Sequence, residues 1–92
     1  MTYPNIAGTH SRGAFDKDAQ GWCGEVLVIT QDEDRVSIRS EIHYGEPENV
    51  TEYTGRITGS DPAGRYVEIT LDDGSVRYFW PIQRELRVDR PR

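Results

Sequence analysis

Residues 66–89, YVEITLDDGSVRYFWPIQRELRVD, read as strand, Asp-Gly turn, strand, one short turn of helix and a closing strand. Asp73-Gly74 is the strongest local signal. A two-residue chain reversal needs positive φ, which Gly supplies without a Cβ clash. Val67, Ile69 and Leu71 share one face of the incoming strand. On the outgoing strand Val76, Tyr78 and Trp80 share one face and Arg77 and Phe79 the other, because successive strand side chains alternate. Pro81 removes a ladder donor and stops that strand. Residues 82–85 have room for one 3₁₀ turn, and residues 86–88 form a last short strand.

Working back from this stretch, residues 59–64 (GSDPAG) make a turn. Residues 50–58 form a strand with Gly55 inside it, which predicts a bulge or a sharp bend. Residues 43–49 (HYGEPEN) read as a loop. Residues 35–42 alternate cleanly, with Val36, Ile38, Ser40 and Ile42 on one face and charged or polar groups on the other. That pattern predicts a strand with one face on a core and one in water. Residues 25–30 (EVLVIT) are apolar on both faces, as in a strand buried on both sides or bending through a barrel wall. Residues 1–20 lack strand or helix periodicity and read as a flexible or loosely docked arm, with Tyr3, Ile6 and Phe15 as candidate anchors. The expected organisation is this arm followed by a small β-barrel domain over residues 21–92.

No stretch has helical amphipathic length. Five or six short strands at roughly ten-residue spacing predict an all-β, antiparallel barrel or sandwich. The C-terminal order of events resembles the end of an SH3-like barrel. Asp73-Gly74, Trp80-Pro81 and residues 86–88 carry that resemblance. It implies a five- to six-stranded SH3-like barrel with one 3₁₀ turn before the closing strand; an OB-like or Sm-like barrel is the alternative. A superfold of this kind hosts many unrelated functions and implies none.

The chain has 92 residues, enough for one domain with a modest core. It is 35% hydrophobic and 29% charged, and its apolar residues fall in strand-length runs, so it is not a disordered composition. One cysteine, Cys23, excludes an internal disulfide. The opening MTYPNIAGTHSRG has no basic start followed by an apolar core, and no apolar run approaches membrane-spanning length. The expected location is the cytoplasm. The net charge of −5 argues against generic duplex binding, which draws its affinity from Lys and Arg on phosphates.

Candidate chemistry is sparse. His10, Cys23 and His43 are too few and too dispersed for a structural zinc site, which wants four ligands in close pairs. A Cys23–His43 catalytic pair has no supporting local pattern. Asp16, Asp18 and the run 32–34 lack the spacing and glycine of a calcium loop. The reading is therefore non-catalytic, without cofactor or metal.

The aromatics point elsewhere. Tyr78, Phe79 and Trp80 are consecutive, so whichever register the core selects leaves at least one large ring outside it. With Trp22, Tyr53 and Arg77 they form the candidate binding set, since Trp, Tyr and Arg are enriched at interaction hot spots. The leading expectation is a small barrel that docks on a protein partner through an aromatic or edge-strand surface. A barrel associated with RNA or single-stranded DNA is the alternative, with Arg84, Arg87, Arg90 and Arg92 as its basic edge. An acidic inhibitor from a phage or mobile element, presenting Glu41, Glu46, Glu48 and Glu52, is a third.

Overall fold

The computed structural model describes residues 3–89. Seven strands follow one another: β1 (Gly8–Asp16), β2 (Gly21–Asp32), β3 (Arg35–Tyr44), β4 (Glu46–Ser60), β5 (Val67–Leu71), β6 (Val76–Trp80) and β7 (Glu85–Arg87). They pair in sequence order, every pair antiparallel, in one sheet that curls into a nearly closed barrel. Among the described residues no helix is long and apolar enough to cross a membrane.

The architecture is all-β as read from sequence, with three corrections. There are seven strands, not five or six. The added strand is β1, inside the stretch read as an arm. It lacks apolar alternation because its nine residues pair with β2 along a mostly exposed course. Second, residues 81–84 close as a hydrogen-bonded turn, with the Arg84 amide on the Pro81 carbonyl at 3.3 Å, and no 3₁₀ helix forms. Third, residues 43–49 are not a loop. β3 runs to Tyr44, the chain reverses at Gly45, and β4 begins at Glu46. Pro47 and the glycine masked that strand, but a register shift after Ile42 absorbs the irregularity.

The Asp-Gly hairpin is present in a longer form than the two-residue reversal. The Gly74 amide reaches the Leu71 carbonyl at 2.9 Å, and the Leu71 amide reaches the Ser75 carbonyl at 2.8 Å. Asp72 and Asp73 are thus the central turn residues, and Gly74 follows at φ 90°. This is the three-residue loop that ends on a left-handed residue. Asp73 fixes it by accepting from the Ser75 amide and hydroxyl.

The core is built from one face of β2 to β6. Leu27, Ile29, Val36, Ile38, Ile57, Val67, Ile69, Leu71 and Phe79 are buried together, with Tyr53 and Leu86 against them. The register explains the set: Ile29 faces Ile38, Ile57 faces Ile69, Val67 faces Phe79. Each fully buried side chain of this size contributes about 1.5–3 kcal/mol. On β2 the opposite face, Val26 and Val28, is only half-buried, so that strand is covered on one side. Gly55 lies where β4 bends against β5: a Cβ there would stand 2.5 Å from the Thr70 carbonyl oxygen. The bulge itself falls a little further on, between Ile57 and Gly59.

Ile6 also enters this core, from before β1. Gln31 holds it there. Its side-chain oxygen accepts from the Ile6 amide at 2.8 Å, and its amide nitrogen donates to the carbonyls of Pro4 and Glu33, each at 2.8 Å. Ile6 is thus the anchor that docks the N-terminal segment, while Phe15 is not.

Strand lengths give the molecule its shape. β4 has 15 residues, which at ~3.3 Å per residue spans about 50 Å, matching the long axis of 47 Å. β5, β6 and β7 have only 5, 5 and 3 residues. They complete the barrel beside one half of β4, from Gly55 to Ser60. The remaining ends of β1–β4 extend past the barrel as a four-stranded sheet, which ends at Asp16, Gly21, Tyr44 and Glu46.

Candidate interaction surface

The six residues singled out from sequence separate into four places. Phe79 is 0% exposed and sits in the core, edge-on to His10 at 4.8 Å. It is therefore withdrawn from the surface. Arg77 shares its face, and its guanidinium lies 5.8 Å from the centre of the Tyr53 ring. The inward position of Tyr53, opposite Ile38, lies just beyond the end of β5, so this pair closes the interior at its rim.

Tyr78 and Trp80 face outward with Tyr66. Tyr66 meets Tyr78 at 5.8 Å and Trp80 at 5.3 Å between ring centroids. Arg87 lies 4.6 Å over the Trp80 ring and donates to Glu85 at 3.1 Å. The outward rings thus cover one another, and Tyr78 is left 8% exposed. The Trp80 indole nitrogen is buried in this cluster without an acceptor among the described residues.

Trp22 belongs to the extended sheet. Gly13 faces Gly24 across β1 and β2, and their backbones touch so closely that a Cβ on Gly13 would stand 2.1 Å from the Cys23 carbonyl oxygen and 2.7 Å from the Trp22 ring. The two glycines form a saddle. The indole lies across it and meets the His43 ring at 5.3 Å, nearly edge-on. His43 in turn contacts Glu41 at 3.2 Å, and the Arg39 guanidinium donates to Glu41 at 3.1 Å.

Around this row lie residues that sequence reasoning left out of the binding set. Phe15 is 69% exposed, Tyr44 57% and Val50 47%, and Ile42 is exposed as well. Phe15 pairs opposite Trp22, and Val50 opposite Glu41, on the saddle face. Ile42 and Tyr44 alternate onto the other face, beyond the reach of the short strands. The signal for them was available: Ile42 ends the clean alternation of β3, and nothing downstream is long enough to cover it.

The outer edge of this sheet is also open. From Glu46 to Tyr53, β4 pairs with β3 alone, since its pairing with β5 begins at Gly55. Every side chain from Glu46 to Glu52 is exposed.

The other sequence candidates have local roles. Cys23 pairs with Tyr44 and His43 with Gly24, so Cys23 and His43 point to opposite faces of the sheet. The Cys23 thiol donates to the Gly21 carbonyl. Asp16 caps the β1–β2 turn by accepting from the Asp18 and Ala19 amides. Among the described residues no group of three or more His, Cys, Asp or Glu side chains is placed to hold a metal. Arg84 donates to the Ser11 carbonyl across the gap between β7 and β1. Arg90 and Arg92 lie outside the described residues. The four glutamates do not form one acidic face. Glu41 is held by Arg39 and His43, Glu46 alternates onto the opposite face with Tyr44, and Glu48 lies in the register shift.

Two carboxyls titrate below the ordinary range, both in turns. Asp61 is held down chiefly by its side-chain hydrogen bonds from Arg65, at 2.6 and 3.2 Å, with the Arg65 amide adding a third. Asp73 is held down by Ser75. Both stabilise loops of the barrel, away from the extended sheet. Comparison with protein-family models, curated proteins and solved structures returns no match.

Proposed function

We propose that this chain is a non-catalytic interaction module. The barrel is its rigid base, and the extended end of β1–β4 is the surface that docks on a protein partner. The observation that supports this is the concentration of exposed Phe15, Ile42, Tyr44 and Val50 at one end of one sheet. Phe15 and Val50 lie on the saddle face and Ile42 and Tyr44 on the other, so the partner would wrap the projecting end and contact both faces. Trp22, half-buried on the glycine saddle, would supply a pre-positioned ring beside Phe15 on the saddle face, at little entropic cost on binding. In this reading the Tyr78–Trp80 cluster is structural, and of the six residues named from sequence only Trp22 carries over to the surface.

We also propose the finer SH3-like likeness for the closing segment. Its support is the hairpin at Asp73-Gly74, the strand stop at Trp80-Pro81 and the short β7; the helical turn is not among its marks.

The test is site-specific photo-crosslinking in the native host, with a benzophenone side chain at position 15, 44 or 82. Ile82 is 85% exposed in the β6–β7 turn and serves as the control. Discrete adducts to one protein from positions 15 and 44, but not 82, support the reading. Equal labelling from all three positions, or none from 15 and 44, contradicts it.

A further inference from the structure

We infer that the open edge of β4 accepts an extended, basic segment of the partner as an added antiparallel strand. This rests on the interaction reading above and names the partner's chemistry. The backbone argument comes first. The Asp72 amide donates to the Thr54 carbonyl from the β5 side at 2.9 Å, whereas the Ile57 amide turns the other way, to the Asp34 carbonyl at 2.7 Å. Hydrogen-bonding direction alternates along a strand, so the amides and carbonyls of Val50 and Glu52 point to the same open side as Thr54. β5 does not reach them. An unpaired row of this kind is a template for strand addition.

Charge selects the occupant. Glu48 and Glu52 are exposed along this edge, whereas Glu46 lies below the register shift on the opposite face. Among the described residues, Glu46 and Glu48 form no ion pair, and Glu52 has only Arg39, at the outer limit of 4.0 Å. A second copy of the chain would bring two such acidic edges together, and like charges across a seam oppose pairing. Val50 and Glu52 share one face, so an added strand with Lys or Arg opposite Glu52 and a small apolar residue opposite Val50 fits that face, and Glu48 adds negative charge at the lower end. Pro47 and the register shift bound the docking segment at its lower end, and the Asp72–Thr54 contact bounds it at the upper.

The probe is a synthetic peptide with lysine and valine two residues apart on one strand face and threonine between them, with the same peptide carrying glutamate for lysine as its counterpart. Binding is read from amide exchange and chemical shifts of Val50 and Glu52 in the whole ¹⁵N-labelled protein. The basic peptide is expected to bind and to slow exchange at both amides, and the acidic one to leave them unchanged. Val50→Pro removes an outward donor without touching the β3 ladder, and is expected to weaken binding at least about tenfold. Glu48→Gln and Glu52→Gln together, which leave the backbone intact, are expected to weaken it similarly and to remove most of its salt dependence. Equal binding of both peptides, absence of protection at Val50 and Glu52, or binding unchanged in both variants overturns the inference. So does concentration-dependent protection of these amides without peptide, which would assign the edge to a second copy. If adducts from positions 15 and 44 persist while the peptide results are negative, the edge inference fails and the interaction reading stands.

Discussion

Gly13 and Gly24 show how a single atom governs the surface. Their backbones are in contact, and the Trp22 ring occupies the space above Gly13. Gly13→Ala forces either the strands or the indole to move. We expect a loss of about 1–3 kcal/mol in urea unfolding, as for other overpacked sites, together with a shifted Trp emission maximum. Phe79→Ala removes a fully buried ring and is expected to cost about 3–5 kcal/mol, enough to unfold much of a domain this small. Phe15→Ser, by contrast, is expected within about 0.5 kcal/mol of the parent, because Phe15 is mostly exposed. A large loss for Phe15→Ser would mean that the ring is structural.

Asp61 belongs to the same scale. Arg65 holds its folded-state titration below that of the unfolded chain. The carboxylate therefore adds stability that is fully present above the ordinary carboxyl range and is lost as pH falls through the lowered folded value. The urea midpoint should decline with acidification through that window in the parent and decline less in Asp61→Asn. Parallel profiles would show that the Arg65 contacts do not contribute to stability.

At the scale of elements, strands with an apolar face were legible in the sequence, and strands without one were not. β3, β5 and β6 show the two-residue alternation directly, and the alternation of Arg77 and Phe79 against Tyr78 and Trp80 is the one observed. What the alternation could not decide was which face turned inward, since both carry rings. The core took Phe79, whose ring has no polar group to satisfy. β1 escaped notice because a strand that pairs along its backbone with exposed side chains leaves no hydrophobic pattern. The extended sheet was missed for a related reason. Its apolar residues are spread over β1, β3 and β4 and gather at one end only through strand pairing, Phe15 and Val50 on one face and Ile42 and Tyr44 on the other. The docking of the N-terminal segment likewise depends on a long-range contact, Gln31 to Pro4 and Ile6. Gln31→Ala is expected to speed exchange of the Ile6 amide while leaving β5 amides protected. Equal acceleration in both would show that the segment does not open independently.

For the whole molecule, unequal strand length is the organising fact. Three short strands complete a barrel on one half of the sheet, and the four longer strands carry exposed apolar groups beyond it. In the proposed reading one half supplies stability and the other half presents the docking surface. Substitutions should divide accordingly, with changes in the core or at the glycine saddle lowering stability and changes to exposed side chains at the extended end altering association alone. The most direct measurement is quantitative crosslinking from positions 15 and 44 against position 82, in a background whose folding is verified by amide exchange. The expected result is one common partner captured from the extended end, and its loss with Tyr44→Ser while the fold is retained. Capture through position 82, or undiminished capture with Tyr44→Ser, would contradict the assignment of this surface.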